Sequence, residues 1–151
     1  MQSYLRRHAI RSLALLAAAS GLALASLAGA AEKSPVAIKG YDPVAYFTIG
    51  KPARGRADIE YEWDERRYRF SSTRHRDLFK ANPVAYAPQF PNFCAMSLTR
   101  GEIVEADPEN WLIADGKLYM FGKSIGPAVF KQDLAENTAR ANQNRGLVQK
   151  K

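Results

Sequence analysis

One cysteine, Cys94, stands in a chain of 151 residues. No intramolecular disulfide can staple this fold, so it has to rest on buried apolar side chains. The pattern of those side chains is therefore the main guide to architecture. Ile59, Tyr61 and Trp63 alternate with Asp58, Glu60 and Glu62, the period of a half-buried strand. Asp64-Glu65-Arg66 reads as a turn, and Tyr68 and Phe70 continue the alternation on a return strand. The result is a hairpin with one aromatic face.

Short helices fill the spaces around it. Asp42 is placed to cap a helical turn, with Pro43 at its first position, where a missing N–H does no harm. Ser71 or Ser72 caps a helix running to about Ala81, with Leu78 and Phe79 inward, and Asn82-Pro83 ends it. A loop of prolines and aromatics leads to Cys94-Ala95-Met96-Ser97-Leu98, a short helical segment closed by Gly101. Asp107-Pro108 reads as a turn before a strand through Trp111 and Ile113. Asp115-Gly116 predicts a tight hairpin turn, because both of its central positions need positive φ. Leu118, Met120 and Phe121 lie on the return strand. One polar helix is expected from about Pro127 to Asn144, with a thin apolar stripe, and residues 146–151 read as a frayed tail. The fold class is a small single α+β domain of antiparallel hairpins, short helices and a C-terminal helix. The two strand–turn–strand–helix units share a plan, which we read as architecture and not as a sequence repeat.

The first thirty residues bear on compartment. Arg6, Arg7 and Arg11 precede an Ala/Leu-rich run from Leu13 to about Leu27, and Ala28-Gly29-Ala30 forms a small-x-small cleavage site. That order of charge, apolar block and small residues is a secretory signal peptide over residues 1–30. An uncleaved anchor is the alternative, since Ser12 to Ala31 carries no charge and about 20 residues can span a bilayer. No cysteine stands near the cleavage point, which excludes a lipoprotein. Sec export is preferred over the twin-arginine route, which stays open. The expected location is periplasmic or secreted, with residues 31–37 as a tether and a membrane role only if the leader is retained. Losing three arginines lowers the formal net charge from +7 to +4 (7 − 3), so the mature chain is only modestly basic. Nucleic-acid binding is not expected of an exported chain without a recognition motif.

Several motifs occur together in a characteristic order: Gly40-Tyr41-Asp42-Pro43-Val44-Ala45-Tyr46-Phe47, then Tyr68-Arg69-Phe70-Ser71-Ser72. Asn82-Pro83 with Tyr86-Ala87-Pro88-Gln89, then Phe93-Cys94-Ala95 and Asp115-Gly116-Lys117-Leu118-Tyr119, follow. In these the chain resembles an exported YHS-domain protein from about Val36 to Asn142, which gives a domain over residues 38–145. The resemblance implies a small α+β domain often described as metal-binding. It also implies that the ligand positions of cysteine-bearing relatives fall here on Ala45, Ser71 and His75. Of the three, only His75 keeps ligand chemistry, because Ala45 cannot ligate and a hydroxyl suits borderline or soft ions poorly.

The residues themselves offer a second ligand set. Cys94 and Met96 form a Cys-x-Met pair, and His75 and Met120 lie on segments that a compact fold could bring near it. Thiolate, thioether and imidazole together suit copper as Cu(I) and, less well, zinc. The candidate metal site is therefore Cys94, His75 and Met96, against the alternative that Cys94 is a small buried hydrophobe. The aromatics from Tyr46 to Tyr86 fit either a ligand pocket or the core of a domain without disulfides. No pairing of carboxylates or Ser-His-Asp order marks a catalytic centre. Three functions follow as expectations. The first is a binding or accessory module holding a soft metal ion through Cys94. The second is a protein- or small-ligand-interaction module with a structural Cys94. The third is a thiol-redox protein.

Overall fold

The computed structural model describes residues 33–148. The signal-peptide reading of residues 1–30, the start of the tether and the last three residues lie outside the described residues.

The first hairpin pairs β1 (Arg56–Trp63) with β2 (Arg66–Phe70). Tyr61 faces Tyr68 across it, as the aromatic alternation requires. Helix α1 (Ala45–Thr48) precedes this sheet, α2 (Thr73–Ala81) packs on both of its strands, and α3 (Pro83–Tyr86) packs against α2 and the second hairpin. Ser72 caps α2 by accepting from the His75 amide at 3.2 Å. Then come α4 (Ala95–Leu98) and a second hairpin of β3 (Asp107–Ala114) with β4 (Lys117–Phe121). Asp115 and Gly116 have φ of 50° and 69°, the two left-handed residues a type I′ turn demands. Pro108, expected in a turn, lies inside β3, at the irregular stretch where the register with β4 shifts between Asp107 and Trp111. A proline is tolerated there because a ladder that is already interrupted does not need its missing N–H.

The C-terminal helix differs from expectation. Two helices stand in place of one, α5 (Gly126–Gln132) and α6 (Leu134–Gln143), broken at Asp133 with φ −128° and ψ 59°. The Asn137 amide group donates to the Phe130 carbonyl at 3.1 Å, so a carbonyl freed by the break keeps a partner. Beyond α6, Arg145–Leu147 form a further turn, and the next residue, Val148, is buried in the core. At the other end, the Pro35 carbonyl accepts from the Arg67 amide and Ala37 is fully buried, so the chain is already docked on β2 before residue 38. Among the described residues no helix is long and apolar enough to cross a membrane.

The two hairpins are one frame built twice. Each has an eight-residue strand, a two-residue turn with positive φ at both positions and a five-residue strand, with a register shift near its open end. Each return strand takes a parallel bridge from the segment before the unit, Val36 to Arg67 and Pro88 to Leu118. Each unit opens with an antiparallel bridge, Tyr41 to Arg54 and Phe93 to Glu105. The core aromatics correspond as well. Phe79 of α2 lies 4.6 Å from Tyr68 and 5.3 Å from Phe70, centroid to centroid. Phe130 of α5 lies 5.2 Å from Tyr119 and 5.3 Å from Phe121. Each triad centres one of two hydrophobic clusters, and all six rings are essentially buried. Burying such rings is worth about 1.5–3 kcal/mol each, which is how a chain with one cysteine holds together.

Candidate functional site

Asp42 is the one fully buried carboxylate among the described residues. A charge there is tolerable only if every lone pair finds a donor. Its Oδ1 accepts from the Val44 amide at 2.9 Å, an Asx turn that starts α1. Its Oδ2 accepts from the Ser71 amide at 2.8 Å, the Ser71 hydroxyl at 2.6 Å and His75 Nδ1 at 2.6 Å. Four donors from two segments thus converge on one side chain. The junction between β2 and α2 is tied to the entry of α1 by this carboxylate.

His75 sits in the first turn of α2, with its side chain 14% exposed. A carboxylate has no hydrogen to offer, so Nδ1 carries the N–H and Nε2 points away from Asp42. Nε2 lies 3.2 Å from Thr48 Oγ1 at the end of α1. Carboxylate, imidazole and hydroxyl then follow one another in the order of a hydrolase triad. The hydroxyl, however, donates to the Val44 carbonyl one turn back at 3.0 Å, the shorter of its two contacts. It is held as a helix back-bond, not aimed at a reacting atom, so the array works as a polar latch.

The predicted metal set does not assemble around His75. Its hydrogen-bond partners are Asp42, Ser71, Ser72 and Thr48, all in the first unit. Cys94 and Met96 lie together in the second hydrophobic cluster, Cys94 6% exposed and Met96 half-buried against it. Met120 is buried in the first cluster. Among the described residues no three His, Cys, Asp or Glu side chains are grouped to hold an ion. Of the positions that the family resemblance groups, Ser71 and His75 do meet, with Ser71 Oγ 3.3 Å from Nδ1, but both face a carboxylate already saturated with donors.

The duplicated frame explains where Cys94 sits. The Asp42 amide donates to Ala53 at 2.9 Å, and the Cys94 amide donates to Val104 at 2.8 Å. The flanking bonds match too, Gly55 to Gly40 and Ala106 to Asn92. Cys94 is therefore the counterpart of Asp42. The partners of Asp42 have apolar counterparts: Gly122 stands where Ser71 does, and a Cβ there would press on the Glu105 carbonyl at 3.0 Å and Val104 Cγ1 at 3.3 Å, with the Cys94 Cβ 3.8 Å away. Gly126 stands where His75 does, and a Cβ there would lie 2.7 Å from the Phe121 Cβ. One unit fills this place with a saturated carboxylate, the other with a thiol against packed rings.

Asp42 and Thr48 escaped the sequence reading as site residues, though Asp42 was legible as a cap. No family model, curated protein or solved structure matches the chain. The class it belongs to is set by the architecture alone, a small α+β domain of two related hairpin units.

Proposed function

We propose that this chain is an exported, YHS-type interaction module that holds a protein or small-ligand partner on its aromatic face, with Cys94 serving the core. The observation that carries this reading is the equivalence of Cys94 with Asp42. A thiol that takes the place of a buried carboxylate, among Phe90, Leu98 and Phe121, replaces polar satisfaction by packing. The partner-facing chemistry then falls to the half-buried aromatics over the first cluster, Tyr41, Phe47, Tyr61, Trp63, Tyr86 and Trp111. Such rings combine apolar area with a polar tip, the composition that interfaces favour. Export through the leader belongs to the same proposal, and the mass of the protein recovered from the periplasm tests it.

The competing soft-metal reading rests on Cys94 and Met96 sharing one cluster. Metal content and Cu(I) and Zn²⁺ titration of the purified chain, with Cys94→Ser alongside, separate the two. The interaction reading expects no stoichiometric binding that depends on Cys94. Stoichiometric binding lost in the variant, with the variant folded, overturns it in favour of a metal module.

A further inference from the structure

We propose that the cleft between the tip of the first hairpin and the 84–91 segment binds an apolar carboxylate, one aromatic or branched side chain beside a free carboxyl group. This rests on the interaction-module reading and gives its ligand a chemistry. The cleft has a volume of about 160 Å³ and is lined by Trp63, Val84, Pro88 and Pro91, with Asp64 and Arg145 on its walls. An apolar cavity of roughly 150 Å³ takes a benzene ring, and pockets for larger ligands begin at about 300 Å³. The space therefore suits a single side chain. Val84 is 71% exposed, an aliphatic group that a ligand would cover.

Arg145 supplies the other half of the recognition. Its Nη1 donates to the Gln89 carbonyl at 2.9 Å, and its Nε and Nη2 donate to Asn142 Oδ1 at 3.2 and 2.8 Å. Its guanidinium also stacks on Phe90, 4.8 Å from the ring centroid. Every one of those partners is neutral. Arg56, Arg76, Arg100 and Arg140 each reach a carboxylate, whereas Arg145, like Arg54, Arg66 and Arg74, has none among the described residues. A guanidinium has five N–H donors, so one remains on each terminal nitrogen after these three bonds. The cation is fixed in place, uncompensated and still able to bind, which is the preorganised state that favours carboxylate recognition. Asp64 also lines the cleft and has no ion-pair partner among the described residues, so its charge disfavours a ligand carboxylate placed beside it and leaves Arg145 as the anchor.

The test is NMR titration of the full chain, following the Trp63 indole N–H and the Arg145 Nε–H. The probes are N-acetylphenylalanine, its uncharged amide, and a short peptide ending in phenylalanine with a free terminus. The acid is expected to shift both signals saturably, and the amide to bind at least tenfold more weakly. Arg145→Gln is expected to weaken the acid at least tenfold. Since Arg145 also braces Gln89, two variants outside that bracing keep the test clean. Val84→Glu is expected to weaken binding, and Asp64→Asn to tighten it about two- to threefold through the lost repulsion. Tighter binding of the peptide than of the free acid identifies a chain terminus as the source, and the reverse a small carboxylic acid. No saturable shift at millimolar acid, or equal binding of acid and amide, overturns the proposal. Neither result touches Cys94, so the interaction reading stands or falls separately on the metal titration.

Discussion

Asp42 and Cys94 hold equivalent places in the two hairpin units, each donating its amide to the carbonyl that precedes its own hairpin, Ala53 and Val104. The same backbone position is filled by opposite chemistry, and the two should respond differently to truncation. Asp42→Ala strands the Val44 and Ser71 amides, the Ser71 hydroxyl and His75 Nδ1 at once. Each buried donor left without an acceptor costs about 1–3 kcal/mol, so the total loss should be at least about 3 kcal/mol. Cys94→Ala removes a small apolar group and should cost only about 1 kcal/mol. Urea denaturation of the two variants compares them directly. Equal losses would mean that the thiol, too, anchors a polar network.

The thiol should be inert in the folded protein. Cys94 is buried among aromatic and aliphatic side chains, and attack on a disulfide reagent needs an accessible thiolate. Ellman's reagent is expected to leave the native chain essentially unmodified and to titrate one thiol in denaturant. Rapid stoichiometric reaction under native conditions would restore the redox reading.

The two hairpin turns are a matched pair for measuring backbone strain. Asp115-Gly116 places glycine at the second left-handed position, whereas Asp64-Glu65 forces a glutamate to φ 57°. A left-handed conformation costs an L-residue about 1–2 kcal/mol, partly offset by the greater freedom glycine has when unfolded. Glu65→Gly should therefore stabilise the domain by about 0.5–1 kcal/mol, and Gly116→Glu should destabilise it by a similar amount. Shifts in thermal midpoint of opposite sign check this pair.

The sequence reveals local structure well and long-range contacts poorly, and the reasons are physical. Strand alternation, the Asp115-Gly116 turn and the Ser72 cap are decided by neighbours in the chain, so both hairpins and α2 were readable. The break at Asp133 was not, because the C-terminal apolar stripe runs through it and the Phe130 carbonyl is satisfied by a side chain from the next helix. The duplication does leave a signal in the sequence. Tyr68, Phe70 and Phe79 recur at the same spacing as Tyr119, Phe121 and Phe130. Apart from the turn residues Asp64 and Asp115 the sequences between and around those anchors largely diverge, so the buried rings carry most of the pattern. The Asp42–His75 pair joins residues from separate elements, and cap chemistry alone does not bring them together. The proposed cleft draws on Trp63, Pro91 and Arg145, three segments that no local rule connects.

Two buried tyrosines give the domain an alkaline limit. Burial is the largest influence on both Tyr46 and Tyr68 and raises their pKa values well above the ordinary phenol range. Tyr46 has an outlet, donating to the Pro108 carbonyl at 3.0 Å, while the Tyr68 hydroxyl has no partner among the described residues. In the unfolded chain each phenol ionises near pH 10. Above that pH the unfolded state has lost protons that the folded state keeps, so stability falls as pH rises. Each tyrosine contributes a slope of up to about 1.4 kcal/mol per pH unit, and the two together about twice that. Urea midpoints measured from pH 9 to 11 should drop accordingly, with tyrosinate absorbance from these two rings appearing only on unfolding. Tyr68→Phe removes the unpartnered hydroxyl, so at neutral pH it should be neutral or stabilising by up to about 1 kcal/mol. The same variant should lower the alkaline slope by up to about 1.4 kcal/mol per pH unit. An unchanged slope would mean that Tyr68 ionises within the fold and that its hydroxyl has access to water.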